Sequence, residues 1–146
     1  MSQKDLRPSA SYIWLEQDGK ILLHKRANTG YMDGMYQMPA GHVDPMEVPS
    51  EAVIRESMEE LGITINPSDL KICIIISRVS ETNSYYDFFF KATTWSGEPR
   101  IMEPEKCSDL QWFQPDDLPE NIIPYNKSVI ELVSKGLAYA EEGKDF

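Results

Sequence analysis

The sequence is poor in positive charge: 14 Lys and Arg face 24 Asp and Glu, a net charge of −10 over 146 residues. Duplex nucleic acid and anionic membrane surfaces both select basic patches, so neither is expected as a partner. A small anionic ligand remains open to such a chain, provided cations are recruited with it. Cysteine is nearly absent, with only Cys73 and Cys107, each in an apolar, strand-like setting. Two buried, reduced thiols are the expectation, with a disulfide or a catalytic thiol as the alternative. His24 and His42 read as strand or loop residues, and two His with two Cys show no zinc spacing. No run of about 18 apolar residues occurs, and the start MSQKDLRPSAS lacks the apolar centre of a signal peptide, so a cytoplasmic location is expected. Walker A, Gly-x-Gly-x-x-Gly and Gly-x-Ser-x-Gly patterns are all missing, which removes three enzyme classes.

What is present fits one domain over residues 1–146, with 41% hydrophobic residues to build a core. Ser9 to Gln17 and Lys20 to Arg26 are apolar-rich runs separated by Asp18-Gly19, a hairpin signal. A glycine-rich loop follows, with a short strand expected near Tyr36 to Pro39. From Ser50, expected to cap the start, Ile54, Met58 and Leu61 recur at helical spacing, and Gly62 suits the position just past the end. Lys71 to Ser80, the YYDFFFKATTW run and Ser108 to Phe113 read as strands. Lys127 to Glu142 reads as a closing helix, interrupted by Gly136. Strands flanked by two helices predict a mixed sheet sandwiched between helices.

The first helix carries the sequence's electrostatic problem. In RESMEELG, Glu56, Glu59 and Glu60 stand three and four positions apart, on one face opposite Ile54, Met58 and Leu61. Each pair repels by about 0.7 kcal/mol in water at a separation of about 6 Å, and by more where solvent is excluded. Such a face is either simply solvated or built to receive a cation. The preceding loop, GHVDPME, adds acid and backbone carbonyls. A hard divalent ion such as Mg²⁺ binds through a few carboxylates plus substrate phosphates, which suits this neighbourhood.

Gly41, five residues, Glu47, seven residues, then Arg55-Glu56-x-x-Glu59-Glu60-x-Gly62-Ile63 resembles the Nudix box, here residues 41–63. The resemblance implies an α/β/α sandwich with a mixed sheet and metal-dependent hydrolysis of a nucleoside diphosphate linked to another group. It departs at Ser57, where the family carries an aliphatic residue; a hydroxyl there is expected to bond the preceding turn, with slightly looser packing beneath. By the same resemblance, Glu59 and Glu60 are the principal Mg²⁺ ligands, with Mn²⁺ as a substitute. Glu56 is a further ligand or the base that activates water, the carbonyl of Ala40 is another ligand, and Glu47 with Arg55 is the pair tying loop to helix. The family's general base often lies outside the box; Glu103 and Glu105 are the candidates, with Glu105 favoured for its nearness to the strand at 108–113.

The stretch from His24 to Val43 is similar to the one preceding the box in MutT-type nucleoside triphosphate hydrolases. That likeness places Arg26 at a phosphate-contacting position. Pro124-Tyr125-Asn126 with Val129-Ile130 resembles a pattern whose Asn bonds the base, making Asn126 and its neighbour Tyr125 substrate-binding candidates; Asn126 could equally cap the last helix. Among aromatics, Tyr31, Tyr36, Tyr85, Tyr86 and Tyr125 are candidates to stack on a base. The implied reaction is hydrolysis of a nucleoside triphosphate, an oxidised one included, to monophosphate and pyrophosphate. Hydrolysis of a nucleotide sugar, ADP-ribose or a dinucleotide polyphosphate is the alternative, and a non-catalytic nucleotide-binding module is a second. A homodimer is left open.

Overall fold

The computed structural model describes residues 7–143. Its order is β1 (Ser9–Gln17), β2 (Lys20–Arg26), β3 (Tyr36–Gln37), β4 (Ala40–His42), α1 (Pro49–Leu61), β5 (Lys71–Val79), β6 (Ser84–Ala92), β7 (Cys107–Phe113), α2 (Pro124–Ser134) and β8 (Tyr139–Glu142). Strand β1 is central: it pairs antiparallel with β2 and β4 and parallel with β6. The sheet runs β3-β2-β1-β6-β5-β8, with β4 on β1 and β7 on β2. Asp18 and Gly19 both take positive φ (53° and 76°), the geometry that matches the twist of a two-residue hairpin.

Alternation along β1 decides where the helices go. Tyr12 and Trp14 point to one face, into a core shared with Phe89, Val129 and Ile130 under α2. Ile13 and Leu15 point to the other, into a core with Leu22, Val53 and Leu61 under α1. A strand buried on both faces needs a cover on each, and the two helices supply it. Each fully buried Leu, Ile or Phe contributes about 1.5–3 kcal/mol, so this double core is the main stabilising term. The expected α/β/α sandwich with a mixed sheet is what forms. No helix among the described residues is long and apolar enough to cross a membrane. Both cysteines are free and only half-buried.

Several details differ from the sequence reading. The last helix ends at Ser134, because Gly136 adopts φ 79°, and the chain returns as β8, parallel to β5. Val48, not Ser50, precedes the first turn of α1; Pro49 takes the first helical position and Glu51 Oε1 accepts the Val48 N–H at 3.1 Å. Gly62 does close the helix at φ 69°, donating to the Met58 carbonyl. The buried stripe of α1 is Ala52, Val53, Ser57 and Leu61, while Met58 is 46% exposed. The stripe is therefore rotated from the Ile54-Met58-Leu61 line, which carries Ser57 into the core and swings Glu60 toward the sheet.

Ser57 is 1% exposed, and its Oγ has no hydrogen-bond partner, so the expected bond to the preceding turn does not form. An unsatisfied buried hydroxyl costs about 1–3 kcal/mol. Replacing Ser57→Ala should raise the stability by about 1 kcal/mol, read as a higher denaturant midpoint at unchanged slope. A midpoint that falls would show that the hydroxyl is satisfied in solution.

Candidate active site

Arg55 organises the site. Its Nε and Nη2 donate to the two oxygens of Glu47 at 2.9 and 3.0 Å, a bidentate fork from helix to loop. Nη2 also donates to the His42 carbonyl at 3.1 Å and lies 3.4 Å from Asp44 Oδ2. Nη1 donates to Glu56 Oε1 at 2.8 Å and lies 3.4 Å from Glu59 Oε2. The Glu47 carboxyl, held by Arg55 and by the Asp44 N–H, drops to about 2. Loop 42–47 is thereby fastened to the acidic face of α1 by one guanidinium.

The carboxylates around that guanidinium differ sharply in environment. Glu56 lies against Gly41 so closely that a Cβ there would sit 2.2 Å from Glu56 Cδ. Burial pushes the Glu56 carboxyl up, opposed by Arg55. Part of the Glu60 side chain reaches solvent, but its Oε2 is buried and has no partner. Desolvation, reinforced by the charges of Glu56, Glu103 and Glu59, pushes the Glu60 carboxyl up to about 9. Glu59 is the exposed member. The face expected to point outward therefore has one edge facing in.

Glu103, not the favoured Glu105, joins this cluster. The Arg100 and Met102 N–H groups bond the Leu61 and Glu60 carbonyls at 3.0 and 3.2 Å, laying the loop across the end of α1. Glu103 then lines a small cleft with Glu60 and His24, and Lys106 Nζ lies 3.6 Å from its Oε2. Glu105 is exposed, and its carbonyl accepts from Asn28 Nδ2. Among the described residues no three acidic, His or Cys groups already converge as a finished metal cage. Arg55 Nη1 meanwhile engages two of the carboxylates, Glu56 and Glu59. An orphaned Oε2 among oxygen-only ligands is nonetheless what a hard divalent cation would satisfy, so the residues fit such an ion.

Beyond Gly41 opens a cavity of about 750 Å³ between β4, the ends of β5 and β6, and the start of α2. Ala40, Gly41 and His42 form its near wall, so cluster and cavity share one strand. Asn126 is 1% exposed and sits inside the first turn of α2, where its Oδ1 accepts the Met38 N–H at 2.9 Å. It does not cap the helix, whose capping position is Ile123. Tyr125 donates its hydroxyl to Asp87 Oδ2 at 2.6 Å, and Arg78 Nε donates to the same oxygen at 2.8 Å. Arg26 lines the cavity while donating to the Tyr31 carbonyl and Thr29 Oγ1 at 2.7 and 3.0 Å.

Of the candidate stacking aromatics, Tyr31, Tyr85 and Tyr125 line the cavity. Tyr36 turns inward to bond Asp109, and Tyr86 lies under the Arg7 guanidinium. Arg78 and Asp87 were not foreseen as site residues. The signal was present: Arg78 closes the apolar run KICIIIS, and Asp87 interrupts YYDFFF. A charge inside an apolar strand usually marks a buried partner.

Comparison with known proteins places the chain. The family model of the NUDIX domain matches residues 5–133. An RNA pyrophosphohydrolase of Erythrobacter litoralis is 26% identical over 151 residues, covering 88% of each chain. An 8-oxo-dGTP diphosphatase of Escherichia coli is 28% identical over 116 residues, covering 78% of this chain and 85% of that one. The crystal structure of a MutT NUDIX hydrolase from Burkholderia pseudomallei superposes with a TM-score of 0.79 at 29% identity, covering 87% of this chain and 98% of that one. With the box residues gathered at one end of a shared fold and the family match running over most of its length, this chain belongs to the NUDIX family and is a Nudix hydrolase.

Proposed function

We propose that the chain hydrolyses a nucleoside triphosphate to monophosphate and pyrophosphate, by attack of water on phosphorus, with Mg²⁺ as cofactor and Mn²⁺ as a substitute. The observation that carries this reading is the buried, unpartnered Oε2 of Glu60 among Glu56, Glu59 and Glu103, beside the nucleotide-sized cavity that Gly41 borders. A half-buried cluster of carboxylates ionises only at a cost unless a cation joins it, and polyphosphate is the ligand that brings one. The carboxylates of Glu56, Glu59 and Glu60 and the carbonyl of Ala40 would hold the ion. When bound, it supplies neutralisation of phosphate oxygens and a more acidic water.

The chain's own residues do the rest. Arg55 and Glu47 fix the loop against α1, so that the ligand groups keep their positions when the cation arrives. Arg26, at the cavity, meets phosphate oxygens. Glu103 accepts the proton of the attacking water; it is the only outside acid of the two candidates that faces Glu60. Asn126, with its oxygen committed to Met38, offers its amide N–H groups to a base acceptor, and Tyr125 forms part of the surface on which the base rests. The relative named 8-oxo-dGTP diphosphatase supports a nucleoside triphosphate, an oxidised one included. The relative named RNA pyrophosphohydrolase supports a second reading, removal of pyrophosphate from an RNA 5′ end. The net charge of −10 disfavours that longer polyanion.

A screen of nucleoside triphosphates, nucleotide sugars, dinucleotides and 5′-triphosphorylated RNA with Mg²⁺, reading pyrophosphate against phosphate, tests this reading. Pyrophosphate release from a triphosphate is expected; turnover confined to another class would replace it. Glu59→Gln and Glu60→Gln should each lower kcat by about 10²-fold or more with the fold intact. Normal turnover in both would remove the metal assignment. Glu103→Gln should lower kcat by about 10²–10⁴-fold, whereas Glu105→Gln should stay near wild type. The reverse pattern would move the base to Glu105.

Stability supplies an independent check on Glu60. Below about pH 4.5 the side chain is neutral folded and unfolded, and its raised value costs nothing. Above that, the unfolded chain loses the proton while the folded one keeps it, until pH passes about 9. The penalty therefore grows with rising pH and then levels. Without metal, Glu60→Gln should melt higher than wild type at pH 8, by several degrees, and no higher at pH 4. Equal melting at pH 8 would show that Glu60 is not held in its neutral form.

A further inference from the structure

The family match ends at residue 133, yet the cavity has a wall built from residues beyond it. Strand β8 lies parallel to β5 with Glu142 in register with Arg78, and Arg78 is in turn in register with Tyr85 of β6. Neighbouring strands lie about 4.8 Å apart, so Tyr85, Arg78 and Glu142 form one row across the sheet, and all three line the cavity. The end of β8 is held close: Gly143 has φ 91°, and a Cβ there would fall 1.9 Å from the Val79 carbonyl oxygen. Only glycine permits that approach, which sets the backbone just after Glu142 directly against β5.

The two charged members of the row are kept apart in function. Arg78 gives its Nε and Nη2 to Asp87, at 2.8 and 3.4 Å, and its guanidinium lies 4.6 and 5.2 Å from the ring centres of Tyr85 and Tyr125. Asp87 is fully buried and also accepts from Tyr125, so it acts as a positioning residue for both. Of its three guanidinium nitrogens only Nη1 has no hydrogen bond among the described residues, and the side chain lines the cavity. Glu142 is half-buried, and among the described residues neither a hydrogen bond nor an ion pair engages its carboxylate. A fixed donor thus stands beside an uncommitted acceptor on one wall of a nucleotide-sized cavity.

We propose that Arg78 and Glu142 read the edge of the base, selecting a purine with a 6-carbonyl beside ring and exocyclic N–H donors. Arg78 donates to the carbonyl, and Glu142 accepts from the ring N–H and the 2-amino group. An adenine-type edge presents an amine to the guanidinium and a lone pair to the carboxylate, so both contacts become repulsive. The inference rests on the nucleotide reading above, and it places specificity in a strand that follows the family domain.

Calorimetric titration of the full chain with GMP, IMP and AMP, without metal, tests this apart from turnover. IMP lacks only the 2-amino group. Wild type should bind GMP about tenfold tighter than IMP, and AMP more weakly still. Glu142→Ala should equalise GMP and IMP, and Glu142→Gln, which keeps one acceptor, should retain part of the difference; melting curves verify that both variants are folded. Equal affinities in wild type, no binding of any of the three, or a preference that survives Glu142→Ala would overturn the proposal. A GMP preference without hydrolysis of GTP under Mg²⁺ would uphold the base reading and remove the nucleoside triphosphate reading. Hydrolysis of GTP and ITP at equal kcat/KM in wild type would do the opposite.

Discussion

The Arg55–Glu47 fork is the constraint on which the rest of the site depends. Three carboxylates on one helical face repel each other, and the loop before them adds Asp44 and Glu47. A single guanidinium touching Glu47, Glu56, the His42 carbonyl and the neighbourhood of Glu59 turns that repulsion into a scaffold. Five fixed donors in a plane can serve several acceptors at once, which an ammonium on a flexible stem cannot. Glu56 can then lie on the bare backbone of Gly41, and the strand carrying Ala40 and Gly41 is held between the acidic cluster and the cavity.

The charge distribution resolves an apparent conflict between an acidic chain and an anionic ligand. Arg26 and Arg78 both face the cavity, each tied by local hydrogen bonds that fix its direction. The excess acid lies on the other side of β4, where Glu60 is pushed up to about 9 by its surroundings. The molecule thus separates a region that wants a cation from one that offers cationic groups. A net charge summed over the chain conceals that polarity.

Much of this was legible in the sequence. Asp18-Gly19, the β-branched run of β5 and the aromatic run of β6 each carry a local signal strong enough to be read alone, and the box spacing identified the helix that bears the carboxylates. What escaped depended on contacts between distant segments. Met58 mimics a core residue in a helical pattern, so the pattern alone gives the wrong phase for α1, and with it hides the burial of Ser57 and the inward edge of Glu60. Glu103 and Glu105 are indistinguishable in a loop until the Leu61 and Glu60 carbonyls anchor residues 100–102. Strand β8 has a helical composition; it becomes a strand because β5 offers an open edge and Gly136 ends α2 in time to reach it.

The bond from Met38 to Asn126 has a mechanical consequence. Met38 is fastened to α2, Pro39 accepts the Ile13 N–H at 2.9 Å, and Ala40 and Gly41 pair with β1. The backbone from Met38 to Gly41 is therefore held along its length, and three extended residues span about 10 Å. That strip joins the floor of the cavity to the carboxylate cluster and behaves as a ruler. A ligand whose anchored end and scissile bond are spaced to match it lies where reaction is fast. One of a different length can fill the same cavity equally well and still be misplaced, so discrimination by length would be expressed in rate rather than in occupancy.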